Sequence, residues 1–183
     1  MVSAMSFGVA AVAETFAPLF FGSAFTESGR LMIPLAFTLI AIGFANVIRT
    51  QWVLPTGQDR VFIISVSAGA VINLLANSLL IPRMGAMGAV AGTLLAEFSV
   101  PMTQWLFVRD ALPYRRYLGF VAVYAVIGFI MLVCVRLVGA LLPFGGWLNL
   151  ALQTLTGVLV YGGLCLGWWI LRKKTAILRL MRR

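Results

Sequence analysis

The sequence predicts an all-α fold, a polytopic membrane helix bundle with six transmembrane helices. Three observations lead there. Of the 183 residues, 62% are hydrophobic and only 10% charged, which leaves too little polar surface to cover a soluble globule of this size. Mean hydropathy is +1.03, and the apolar residues gather into six runs, each long enough to cross roughly 30 Å of hydrocarbon with about 20 residues. The runs are apolar on all sides and lack the period-two alternation over about ten residues of a barrel strand, so helices are the expected form.

The first span is expected over Val2 to Phe21. No Lys or Arg precedes it and Glu14 stands within it, whereas a secretory signal has a basic n-region and a small-residue cleavage site. It therefore reads as a true span. Nothing nearby sets its orientation, which suggests that the natural protein or its ancestor has membrane sequence upstream, the chain being a C-terminal portion. The second span covers Leu31 to Leu54 and ends at Pro55-Thr56-Gly57, where Pro fixes φ and Gly accepts positive φ. The third, Val61 to Ile81, is expected to stop at Pro82, with Gly85 permitting the reversal into the fourth, Gly88 to Val108. After "RDALPYRRY" comes the fifth, Leu118 to Leu142, and after "PFGG" the sixth, Trp147 to Leu171. No connection has room for a soluble domain, so sequential helices are expected as antiparallel neighbours. The chain divides into four spans over residues 1–108, a loop over 109–117, a final pair over 118–171 and a basic tail over 172–183.

Short loops rich in Lys and Arg stay cytoplasmic. One set of alternate loops and the tail holds ten such residues, Arg60, Arg109, Arg115 and Arg116 among them, against two, Arg30 and Arg83, on the other side. Both termini are then cytoplasmic. Topology accounts for most of the +9 net charge without nucleic acid, and the tail reads as an anchor meeting anionic membrane lipids.

Enzyme signals are absent. There is no histidine, Cys134 and Cys165 fall inside spans as small apolar fillers, and "GAMGAVAG" follows no strand, so no catalytic group, cofactor or metal site is expected. What remains is intramembrane polarity, which is costly in lipid and marks a pathway or a buried contact: Glu14, Asn46, Arg49, Asn73, Asn77, Glu97, Gln104 and Arg136. At about 1.5 Å per residue, Glu14 and Asn73 lie about 18 Å from the cytoplasmic ends of their helices, and Glu97 about 15 Å from its outer end. All three are expected near the midplane. Arg49 and Arg136 sit near helix ends, where their stems can snorkel to the interface. Two roles are open to Glu97: binding a proton or cation, or a protonated bond to the Asn73 amide that ties two helices together. Asn77 follows Asn73 by one turn, so the two form a polar stripe. Gly88, Gly92 and Ala96 on the fourth span, and Gly163 and Gly167 on the sixth, have the small-xxx-small spacing that lets helix backbones approach.

The stretch "LPTGQDRVFIISVSAGAVINLLANSLLIPRMGAMGAVAGTLLAE", Leu54 to Glu97, resembles the C-terminal half of bacterial polysaccharide flippases. These are the O-antigen, capsule or exopolysaccharide repeat-unit transporters of the multidrug/oligosaccharidyl-lipid/polysaccharide flippase superfamily. The resemblance is carried by "LFFGSAF", by Pro55, Gly57 and Arg60, and by Asn73, "IPRMGAMGA" and Glu97, and is specific over Phe16 to Arg109. The last two spans match only in hydropathy and order.

The resemblance implies helices nine to fourteen of a fourteen-helix transporter, residues 1–108 belonging to its second lobe, in the bacterial inner membrane. It implies flipping of an undecaprenyl-diphosphate-linked oligosaccharide, with a missing N-terminal lobe or partner chain. Arg49 is then the first candidate for the head group and Arg60 the second, while Glu14, Asn73, Asn77 and Glu97 are candidates for coupling to H⁺ or Na⁺. Arg83, on the outer face, fits release of cargo or lipid-surface contact better than capture. The alternatives are half of a multidrug/cation antiporter, a membrane-embedded polysaccharide polymerase or ligase, and a remnant that transports nothing.

Overall fold

In a computed structural model of the chain, the backbone is described for residues 1–112, 114–142 and 145–181, and side chains for these residues except 114–116 and 174–181. The helices are α1 Val2–Phe21, α2 Thr26–Ala36, α3 Thr38–Ile48, α4 Asp59–Met84, α5 Ala86–Val108, α6 Tyr114–Leu141 and α7 Gly146–Met181. A 3₁₀ turn, Ser23–Phe25, leads into α2, and a π-helical turn, Arg49–Val53, ends α3. Among the described residues six helical stretches are long and apolar enough to cross a membrane, with α2, α3 and their flanking turns forming one of them, Ser23–Val53. The chain is a multi-pass membrane protein.

Several expected boundaries move, each for a local reason. The second span begins before Leu31, because the 3₁₀ turn and the Thr26–Arg30 turn of α2 are already helical. It is also broken at Phe37, where the chain tightens to three-residue steps: Phe37 N–H donates to Pro34 O at 3.1 Å and Ile40 N–H to Phe37 O at 3.1 Å. Pro82 does not stop α4. The helix runs on to Met84, and the reversal is made by Gly85 at φ +57°, a conformation in which a side chain is strained. The final helix does not end at Leu171, since the backbone of the basic tail continues it to Met181.

Two hairpins flank a central pair of spans. α4 packs along α5 and α6 along α7; between these hairpins α1 lies against α6 and α7, and the α2–α3 span lies between α1 and α5. Small side chains line α1 where neighbours press on it: Ala10, Ala13 and Ala17 have no exposed surface. Beside them Phe7, Ala11, Met131 and Val135 form one core cluster, with the Phe37 ring edge-on to Phe7 at 5.3 Å. Ile48, Val53, Val61 and Val108 form a second. The hydroxyls of Ser3 and Tyr161 share a hydrogen bond of 2.8 Å that ties α1 to α7. Large aliphatics face outward instead, Leu74 at 68% exposed and Val158 at 65%, the inverse of a water-soluble protein and the arrangement that a lipid solvent favours.

The turns divide into two ends. One holds Gly57, Arg60, Arg109 and the Arg172 and Lys173 side chains; it is called the basic end below. The other holds Gly22, Gly85 and Gly146, all at positive φ.

Candidate functional site

Three helical stripes meet in an open cleft of about 500 Å³ on the face formed by α3, α4 and α5. From α3 and its π turn come Ile42, Ala45, Asn46 and Arg49; from α4 Phe62, Val66, Gly69, Ala70 and Asn73; from α5 Ala96, Glu97, Val100 and Gln104. Each set follows the three- and four-residue steps that place side chains on one face of a helix. Gly69 brings the walls together, for a Cβ there would stand 2.7 Å from Val100 Cγ2.

Arg49 sits toward the basic end. It opens the π turn, which closes through Leu54 N–H donating to Arg49 O at 2.9 Å. Its guanidinium lies 4.3 Å from the centre of the Phe62 ring, a cation–π contact of about 0.5–2 kcal/mol that holds the charge at the cleft wall. Glu97 lies deeper. It is eleven residues from the end of α5 at Val108, about 16 Å, while Arg49 is about 6 Å from the end of its turn. Positive and negative charge are thus separated by about 10 Å along the membrane normal, with the Asn46 and Asn73 amides on the walls between and beyond them.

Gln104 lies on the α5 wall near the basic end, at about the depth of Arg49. It is 1% exposed, its Nε2 donates to Ser65 Oγ at 3.3 Å, and Ser65 Oγ donates in turn to Phe62 O at 2.8 Å. The Gln104 Oε1 atom is buried and accepts no hydrogen bond from the described residues. Asn73 spends its Oδ1 on Asn77 Nδ2, at 2.8 Å, and the expected Asn73–Glu97 bond is not among the hydrogen bonds of the described residues. The cleft can therefore offer an anion a fixed cation near its mouth, and a proton or cation a carboxylate further in.

Not every candidate comes here. Arg60 is exposed in the first turn of α4, outside the cleft lining. Asn77 faces Gly92, where a Cβ would run into its carboxamide oxygen. Glu14 lies elsewhere: its Oε2 is 3.7 Å from Arg136 Nη2, which also donates to Ala10 O at 3.3 Å. Arg136 is five residues and Glu14 seven from the helix ends away from the basic end, about 8–10 Å, so Glu14 belongs to an ion pair outside the cleft, and Arg136 reaches along the membrane to it rather than out to the interface.

The small-residue positions also separate. Gly88 lies against the Leu80 carbonyl, Gly92 against Asn77, and Ala96 is buried beside Gly69, so α5 and α4 are in close contact there. Among the described residues, no atom of a neighbouring element lies within 4 Å of where a Cβ on Gly163 or Gly167 would stand. The close approach expected of them is not made within this chain, because α6 and α7 touch nearer their other end, at Gly139 with Gln153 and Gly157 with Val135.

Asn46 and Gln104 line the cleft although the sequence singled them out only as intramembrane polarity. Their signal was the spacing from a candidate: Asn46 stands three residues before Arg49, and Gln104 seven after Glu97. Ser65, an unremarkable hydroxyl in an apolar run, carried none. Comparison of the chain with protein-family models, with curated proteins and with solved structures finds no match in any of the three.

Proposed function

We propose that this chain forms part of a transporter that flips an undecaprenyl-diphosphate-linked oligosaccharide across the bacterial inner membrane, acting with a second lobe and coupled to H⁺ or Na⁺. The supporting observation is the position of Arg49, a cation held on the wall of an open cleft that also gathers Asn46, Asn73, Glu97 and Gln104 in an otherwise apolar bundle. The diphosphate is the part of such a cargo that hydrocarbon rejects, since an isolated charge in an apolar medium costs tens of kcal/mol. A guanidinium offers it paired donors, and the Asn46, Asn73 and Gln104 amides replace part of its hydration. Glu97 sits where a proton or Na⁺ arriving from the other side meets the same cleft. The expected orientation puts the Arg49 end on the cytoplasmic side, where the cargo is loaded.

The experiment is complementation of a flippase-deficient strain with the transporter carrying Arg49→Ala or Arg136→Ala at matched protein levels. Loss of a charge-assisted contact of about 1.5–3 kcal/mol lowers surface polysaccharide roughly tenfold or more for Arg49→Ala and much less for Arg136→Ala. Equal effects remove the head-group role. Uptake of organic cations in place of polysaccharide export shifts the assignment to a cation antiporter.

A further inference from the structure

We propose that the cargo of the cleft is zwitterionic, with its phosphate on Arg49, as in the proposed function on which this rests, and an ammonium of its sugar on Glu97. The two residues line one open cleft of about 500 Å³, a volume usual for a small-molecule site. Both are half-buried, within spans where a charge is costly unless it faces water or a partner.

Among the described residues neither charge is neutralised. Arg49 has the Phe62 ring at 4.3 Å but no carboxylate in an ion pair with it, and Glu97 has no cation. Separated by about 10 Å of depth, the two are well beyond the contact of about 4 Å that makes a salt bridge. Glu14 and Arg136 differ in this respect, since they meet at 3.7 Å and neutralise each other. The groups between and beyond the two cleft charges favour one molecule over two separate ions. Asn46 stands one turn deeper than Arg49 on the α3 wall, and Asn73 lines the α4 wall. Asn73 Oδ1 accepts from Asn77 Nδ2 at 2.8 Å, which leaves its Nδ2 to donate. Amides both donate and accept, the complement of ring hydroxyls, so a sugar joining phosphate to ammonium suits that stretch. A purely anionic cargo meets Glu97 as a like charge instead. The carboxylate that takes H⁺ or Na⁺ in coupling is taken by the ammonium while cargo is bound.

The test uses the full chain, purified in mild detergent, and two soluble probes, glucosamine 6-phosphate and N-acetylglucosamine 6-phosphate, at about pH 6.5, below the ordinary range of an amine. The first carries an ammonium across the ring from its phosphate, and in the second that nitrogen is acylated and neutral. Dissociation constants are measured by ligand-observed NMR. Glucosamine 6-phosphate is expected to bind about tenfold more tightly, the size of one charge-assisted contact, although the +9 net charge of the chain by itself favours the N-acetyl form. Glu97→Gln brings the two probes within about twofold of each other, Arg49→Gln weakens both about tenfold, and Glu14→Gln, which alters a carboxylate outside the cleft, keeps the preference. Glu97→Met serves if Glu97→Gln does not fold. Equal binding of the two probes by the parent chain overturns the proposal, and if Arg49→Gln still weakens both, the head-group role stands without it. A preference that survives in Glu97→Gln, or that Glu14→Gln abolishes, also overturns it. Binding that Arg49→Gln leaves unchanged, or no binding of either probe, removes the head-group role and the proposal together.

Discussion

Replacing Gly88 with Ala is expected to loosen the α4–α5 hairpin, whereas the same change at Gly167 is not. A Cβ on Gly88 would press on the Leu80 carbonyl and stand 2.9 Å from Ile81 N. Those atoms are helix backbone and cannot swing aside as a side-chain tip can, so α5 must lift off α4 along their most extensive contact. Overpacking of this kind costs about 1–3 kcal/mol, and the better helix propensity of Ala returns about 1 kcal/mol. With rigid backbone on both sides the cost falls in the upper part of its range, leaving a net loss of about 1–2 kcal/mol, a five- to thirtyfold rise in the unfolded fraction. At Gly167 no atom of a neighbouring element among the described residues lies within 4 Å of a Cβ, so only the propensity gain remains. Equilibrium unfolding of the purified protein in mixed dodecylsulfate and mild-detergent micelles reads both numbers. Gly88→Ala as stable as the parent, or Gly167→Ala falling equally, would refute the close-contact reasoning.

Three further outcomes are expected. Glu97→Gln abolishes ion-dependent transport and leaves folded yield within about twofold, because the described residues give the Glu97 carboxylate no hydrogen bond to lose; a collapse in yield assigns the residue to packing instead. Glu14→Gln and Arg136→Met each destabilise the α1–α6 contact, but the double variant costs less than their sum by about 1 kcal/mol, a coupling that a double-mutant unfolding cycle measures and that strict additivity would exclude. Gln104→Leu leaves stability unchanged or raises it by about 1 kcal/mol in the same unfolding assay, since it removes a buried Oε1 that accepts no hydrogen bond from the described residues while Ser65 keeps its bond to Phe62 O; a loss above about 2 kcal/mol means that the amide is satisfied by a group in the cleft.

The spans were legible because crossing a membrane is decided by a sum of transfer energies over about 20 consecutive residues, to which distant parts of the chain contribute little. Six apolar runs therefore became six spans. Their ends were less legible, because an end depends on which group takes over the last backbone bonds. Pro82 has the residue type of a stop, yet a proline in the last turn removes one N–H and leaves the helix free to run to Met84, where Gly85 reverses the chain. Phe37 marks a break between α2 and α3 that no residue type announced, and the basic tail, read as a lipid anchor, is helical because nothing in "RKKTAILRL" interrupts i to i+4 bonding.

The polar groups show where sequence alone ran out. It put Glu14, Asn73 and Glu97 at similar depths, but depth is only one of three coordinates; the rotation of each helix and the identity of its neighbours come from packing. Tertiary structure sent Glu14 to Arg136, joined Arg49, Asn46, Glu97 and Gln104 in one cleft, and gave Asn73 to Asn77. The same division holds for the small residues. Gly88 and Gly163 begin identical GxxxG spacings, and only the placement of a neighbouring backbone makes the first a contact and the second an open crevice. What the sequence by itself determined was the solvent of each segment, a local sum of side-chain transfer energies. What only the tertiary structure decided was which segments face each other, because that depends on complementary surfaces contributed by residues far apart in the chain.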